Sequence, residues 1–155
     1  ADTMKNPPRH RPGVKAFIVY EGKILVAKEK FIERGKERII YDIPGGGIDP
    51  GETLREALQR EVMEEVGLEV EIQRPVGGWD FTFYNDTTKE EVHVVNVAYQ
   101  CRLIGDPKID TTHNPALYEN IFETGWVTKE EILAEKLFSH EDMFKALENV
   151  RIDQG

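Results

Sequence analysis

GGIDPGETLREALQREVMEEVGL, from Gly46 to Leu68, is the stretch that decides how the rest of the chain is read. Glu61, Glu64 and Glu65 stand at i, i+3 and i+4, so one helix presents all three on a single face. Toward the helix start the same stripe carries Leu54, Ala57 and Leu58, which read as core-facing. A stripe that begins apolar and ends in clustered carboxylates either buries negative charge or holds a cation. The carboxylates also fall in the last turns, where the negative end of the helix dipole disfavours anions. Two carboxylates about 6 Å apart repel by roughly 3 kcal/mol at an effective dielectric of about 20. Solvent screening removes much of that on an open surface. The triplet alone therefore leaves two readings open, a solvated acidic face and a site for a hard cation.

The helix is framed at both ends. Thr53 and Glu56 form a capping box, and Gly67 is the natural residue at which the helix stops. Leu54, Leu58, Val62 and Val66 recur every fourth position and give it a buried seam. Ahead of it runs Pro44-Gly45-Gly46-Gly47-Ile48-Asp49-Pro50-Gly51, whose glycines let backbone groups approach a ligand closely. A glycine loop feeding an acidic helix suits a hard divalent cation such as Mg²⁺, which takes oxygen ligands and keeps substrate phosphates in its shell.

Gly46, five residues, Glu52, seven residues, Arg60-Glu61, then Glu64-Glu65, Val66, Gly67 and Leu68 resemble the complete signature of the Nudix hydrolase family. Every defined position across these residues carries the expected type, and the loop-helix context is the proper one. The match covers about a seventh of the chain. Where the family commonly has tryptophan three residues before Pro-Gly-Gly, this chain has Tyr41.

The resemblance implies a Mg²⁺-dependent enzyme, with Mn²⁺ as a substitute, that cleaves a phosphoanhydride by attack of water on phosphorus. It implies Glu61, Glu64 and Glu65 as metal ligands, completed by a backbone carbonyl of Gly45 or Gly46. Catalytic roles are expected of Glu61, Glu64, Arg60 and Glu52, with no single general base assigned. Arg60 is expected to position the carboxylates, reaching Glu64 at i+4 or Glu52 across the loop with a bidentate fork. Some relatives use a further glutamate from a later loop; Glu123 resembles that position, with Glu119 second. Lys28 is a candidate phosphate contact. Trp79, Phe81 and Phe83 alternate on one strand face and are read either as a core stripe or as a stacking surface for a base. His93 and His113 have no partner spacing that suggests a metal site.

Composition fits a compact enzyme: 155 residues, 39% hydrophobic and 32% charged. A net charge of −9 argues against a general surface for long nucleic acid. It is compatible with small polyphosphates bridged by metal. The single Cys101 excludes an internal disulfide and points to a reducing compartment, so the cytoplasm is the expected location. No apolar run approaches a membrane span, and the first residues lack a signal peptide's apolar segment.

Strands are expected at 14–20, 24–30, 38–43, 68–72, 79–84 and 91–103, with a hairpin turn at Glu21-Gly22-Lys23 and a charged loop at 31–37. The segment 105–120 reads as irregular. Thr128 opens a helix reaching about Lys136, and 139–150 reads as a last helix with Met143, Phe144, Leu147 and Val150 inward. Pattern alone gives an α+β domain with a mainly antiparallel or mixed sheet. The resemblance sharpens this to an α/β/α sandwich with a mixed sheet between helices. The expected organisation is a flexible segment over 1–12, one domain over 13–150 and a tail over 151–155.

The substrate expected first is a nucleoside triphosphate, with a nucleotide sugar of the ADP-ribose type as the alternative. Two readings from other classes are a noncatalytic nucleotide sensor and a simple cation-binding domain. The partner is a small nucleotide, with the chain a monomer or homodimer.

Overall fold

The computed structural model describes residues 8–114 and 119–154, with the side chains of 119, 120 and 154 outside the description. Its elements run β1 (Arg9–Tyr20), β2 (Lys23–Glu33), β3 (Lys36–Asp42), β4 (Gly45–Gly47), α1 (Leu54–Val66), β5 (Glu69–Asn85), β6 (Glu90–Ile104), β7 (Glu119–Val127), α2 (Lys129–Ala134) and α3 (Glu141–Glu148), closed by a 3₁₀ turn (Ile152–Gln154). The strands form one sheet in the order β3-β2-β1-β6-β5, with β4 paired to β1 and β7 to β2. Only β1 and β6 are parallel; the other pairs are antiparallel, so the sheet is mixed.

Alternation along the central strands divides the apolar residues between two faces. Val14, Ala16 and Ile18 of β1 pack with Ala57, Leu58, Val62 and Val66 of α1. Phe17 and Val19 point the other way, toward Ile132 of α2 and Met143, Ala146 and Leu147 of α3. The result is the expected layered arrangement, helix, mixed sheet, helices. The caps of α1 are also as read: Thr53 Oγ1 accepts the Glu56 N–H at 3.1 Å, Glu56 Oε1 accepts the Thr53 N–H at 2.9 Å, and Gly67 turns left-handed at φ 68°.

Several boundaries differ from the sequence reading. Arg9–Pro12, expected within a flexible segment, belong to β1, because their backbone pairs with Val92–Val95 of β6. The expected loop at 31–37 is instead a hairpin, turning at Arg34 and Gly35, both with positive φ. Charged residues dominate its outer part, so period-two alternation is lost there. The two expected strands at 68–72 and 79–84 are one strand, β5, whose Pro75 and paired glycines are absorbed by irregularities between Ile72 and Arg74 and between Pro75 and Gly77. Strand β7 was not read from the sequence; it pairs along β2 from Ile24↔Val127 to Phe31↔Glu119. Leu54, expected in the seam, is exposed. The last residues are not a free tail: fully buried Gln100 accepts the Arg151 N–H at 2.7 Å and donates to the Arg151 carbonyl at 2.8 Å.

β1 and β2 pair only next to their turn, at Val19↔Ile24 and Tyr20↔Lys23. Farther from it β4 lies beside β1, while β3 and β7 flank β2. A cleft of about 280 Å³ is lined by β1 from one side and by β2 and β3 from the other. At the tips, Asp86 accepts the backbone N–H groups of Arg34 and Gly35 at 2.9 and 3.0 Å, so the β2–β3 hairpin is tied to the β5–β6 connection.

Candidate active site

Arg60 is the hub of the acidic face. Its Nε and Nη2 form a fork on Glu52, at 2.6 Å to Oε2 and 2.8 Å to Oε1. Nη1 donates to Glu61 Oε1 at 3.0 Å and to Glu64 Oε2 at 3.2 Å, and Nη2 also reaches the Gly47 carbonyl at 3.1 Å. Both partners expected for this arginine are engaged together. Glu52 Oε1 also accepts the Asp49 N–H at 2.8 Å, so one carboxylate ties the loop to the helix. The Arg60 guanidinium, followed by that N–H, holds the Glu52 carboxyl down at about 2, fully ionised at neutral pH. Glu61 moves the other way: burial raises its pKa, and the neighbouring Arg60 opposes the shift.

The glycine strand is built around these carboxylates. A Cβ on Gly46 would stand 2.5 Å from Glu61 Oε2, and one on Gly45, at φ 146°, would stand 2.0 Å from the Val14 carbonyl. A side chain at Gly45 meets fixed backbone, and one at Gly46 requires the Glu61 carboxyl to move. The Gly45 N–H donates to Glu65 Oε1 at 2.6 Å. Glu65 is buried and therefore anchors the loop on the helix, whereas Glu61 and Glu64 turn toward Arg60.

The cleft begins on the other side of the glycine strand. Gly45, Gly46 and Gly47 form part of its wall, while Glu52, Arg60, Glu61, Glu64 and Glu65 are not among its lining residues. Beside the glycines the wall carries Arg11 and Lys15; it also carries Phe31, Phe81, Phe83 and Val94. Arg11 stands at the register of Val94 and Phe81 with its guanidinium beside Gly47, and Lys15 at that of Ala98, so charged side chains border the glycines and the aromatic wall extends from there. Lys15 is buried, its Nζ 2.9 Å from Asp42 Oδ2 and 3.3 Å from the Ile43 carbonyl.

Of the expected substrate contacts, Tyr41 and Trp79 line the cleft. Trp79 is also a core residue, 5% exposed and edge-on to Phe17 at 6.3 Å. Lys28 and Glu123 face each other across the β2–β7 pairing, 3.9 Å apart, and neither lines the cleft. The Glu119 side chain lies outside the described residues. Arg11, Lys15, Asp42 and Asn96 were missed. Two of them had a visible signal, since Lys15 and Asn96 each interrupt an apolar strand run.

The donor set suits a hard cation: carboxylate oxygens of Glu61 and Glu64 lie near the carbonyl-rich glycine strand, with no sulfur or imidazole in it. Among the described residues no three acidic, histidine or cysteine side chains are grouped to enclose an ion, and Arg60 takes up one oxygen each of Glu61 and Glu64. Each keeps a second oxygen, so the residues present fit the metal.

Comparison with known proteins decides the family. The NUDIX domain model matches residues 9–148. The chain belongs to the Nudix hydrolase family. Among curated proteins it is 32% identical over 130 residues to the nucleoside triphosphatase NudI of Enterobacter sp. strain 638, covering 80% of this chain and 86% of that protein. The MutT protein of Methanosarcina mazei Go1 superposes with a TM-score of 0.67 at 23% identity, covering 96% of each chain. An ADP-ribose pyrophosphatase of Streptococcus suis superposes with a TM-score of 0.55 at 26% identity, covering 89% and 90%. The chain is thus a Nudix-type hydrolase with an α+β Nudix fold, and Nudix hydrolases are generally dependent on divalent metal. No helix among the described residues is long and apolar enough to cross a membrane.

Proposed function

We propose that this chain is a Mg²⁺-dependent pyrophosphohydrolase acting on nucleoside triphosphates. The observation that carries the reading is the contact of the acidic face with the cleft, through a glycine strand a single backbone thick. Arg11 and Lys15 place cationic groups beside the glycines, Lys15 in a pair with Asp42, and the aromatic wall has the character a base needs. The likeness to a protein named nucleoside triphosphatase supports the choice of substrate class.

Glu61, Glu64 and Glu65, with a carbonyl of Gly45 or Gly46, would hold the metal. When bound, the cation supplies charge neutralisation at the phosphates and a lowered pKa for bound water. Glu65 fixes the glycine strand through the Gly45 N–H, so the carbonyls and the carboxylates keep one spacing. Arg60 bridges Glu61 and Glu64 through Nη1 and locks the Glu52 loop in place. Glu64, with a side chain 34% exposed against 16% for Glu61, is the more open of the two and the better placed to take a proton from water.

The test is a panel of nucleoside triphosphates, nucleotide sugars and dinucleoside polyphosphates, assayed for phosphate release with coupled pyrophosphatase or phosphatase. Turnover of triphosphates with Mg²⁺ and none without it is expected. Preference for ADP-ribose would establish the alternative reading. Binding without turnover across the panel would establish a sensor.

A further inference from the structure

Asn96 lies mid-strand in β6, where its register neighbours are Gly13 on β1 and Trp79 on β5. It is 3% exposed, and its Nδ2 is buried without a hydrogen-bond partner, the one such side-chain nitrogen or oxygen among the described residues. Val92, Val94 and Ala98, at alternate positions along the same strand, are all buried and apolar. Pattern alone would put valine at 96. A donor kept in such a row lowers stability until something accepts its hydrogen.

The space around it is shaped for the carboxamide. A Cβ on Gly13 would stand 2.3 Å from Asn96 Oδ1 and 3.3 Å from the Gly46 carbonyl. The amide therefore fills the notch that the missing side chain leaves beside the glycine strand. Asn96 and Gly13 are both part of the cleft wall. Along the strands, Asn96 and Trp79 lie level with Gly13, the partner of Gly47, followed by Val94 with Phe81 and then Val92 with Phe83. Asn96 thus stands level with Gly13 and Gly47, where the glycines and the Arg11 guanidinium meet the aromatic wall, a place where the nucleoside half of a nucleotide would meet its phosphates. The last torsion of asparagine is broad and two-fold, so the amide can turn within the notch and present its donor without moving the strand.

We propose that Asn96 is a specificity-determining residue whose amide donates to a hydrogen-bond acceptor on the nucleoside half of the substrate, a carbonyl or ring nitrogen of the base or an oxygen of the sugar. The proposal rests on the nucleotide reading above.

Asn96→Val and Asn96→Ser are compared with the wild type in three measurements. These are melting temperature, kcat/KM over the four ribonucleoside and four deoxyribonucleoside triphosphates, and calorimetric affinity for α,β-imido triphosphates. Asn96→Val should melt no lower than the wild type. It should lose about tenfold to a hundredfold in kcat/KM and in affinity for the preferred nucleotide, the range of one good hydrogen-bonding pair, and change little toward the poorest. Asn96→Ser keeps a donor and should fall between. A flattened ranking among bases places the acceptor on the base, and a changed ribo-to-deoxyribo ratio places it on the sugar. Either outcome supports the assignment. An unchanged ranking and unchanged affinities in an active Asn96→Val enzyme would overturn it, as would a lower melting temperature with selectivity intact in Asn96→Ser. A wild type inert toward the whole panel would instead bring down the nucleotide reading, and this assignment with it.

Discussion

Glu61 lies against the backbone of Gly46, so close that a single methyl there would stand 2.5 Å from its Oε2. The glycine is required by the carboxylate across from it. Gly46→Ala should therefore displace the Glu61 carboxyl and lower turnover by about 100-fold, the usual cost of roughly an ångström of misplacement in a catalytic group. The fold should persist, and circular dichroism beside steady-state kinetics checks both halves.

Glu64 and Glu65 are neighbours in sequence with different surroundings, and their amide variants should separate. Glu64→Gln should reduce turnover by at least ~100-fold through lost charge stabilisation at the phosphates, with the melting temperature nearly unchanged. Glu65→Gln should reduce turnover and also cost about 1–2 kcal/mol of stability, because the charged acceptor of the Gly45 N–H is lost. Denaturant titration of both variants distinguishes them.

Mg²⁺ or Mn²⁺ should raise the melting temperature of the wild type. The expected gain is about 2.7 kcal/mol at one hundred times the dissociation constant, if the unfolded chain does not bind the ion. Glu61→Gln should shrink it. A melting curve indifferent to millimolar divalent metal would return the carboxylate cluster to a solvated acidic face.

Acid should reveal the Arg60–Glu52 fork. Glu52 ionises at about 2 in the folded chain, below the ordinary carboxylate value of 4.5. A group lowered on folding stabilises the fold above its unfolded pKa and loses that contribution as protons bind. The contribution of Glu52 is thus complete above about pH 4.5 and fades between there and about 2. In melting curves measured across that window, Glu52→Gln should lack this part of the acid dependence.

Trp79→Ala should cost about 3–5 kcal/mol of stability, since the ring is core as well as cleft wall. Phe81 is only partly buried and stacks on His140 at 4.8 Å with an interplanar angle of 17°. Phe81→Ala should raise KM for nucleotides by about tenfold to a hundredfold, the range of one lost base stack, with kcat and metal requirement held. Melting temperatures measured beside kinetic constants tell the two aromatic roles apart.

The sequence by itself determined the helix from Thr53 to Gly67, its caps, the face that carries Glu61, Glu64 and Glu65, and the glycine-rich segment before it, which reads as a loop and which pairing with β1 makes a strand. These are local properties, set by spacing of 3.6 residues per turn and by the chemistry of single residues at helix ends. Its mix of strand and helix patterns also determined the α+β class, to which the family resemblance added the layered sandwich. The tertiary structure alone decided the rest. Pairing across long separations set the full length of β1, the identity of β7 and the continuity of β5, since strand ladders are satisfied by partners distant in sequence. It also divided two adjacent glutamates between Arg60 and Gly45, and brought Gly13, Gly46, Trp79 and Asn96 to one cleft wall. Such convergence depends on register between strands far apart in the chain, which no local pattern encodes.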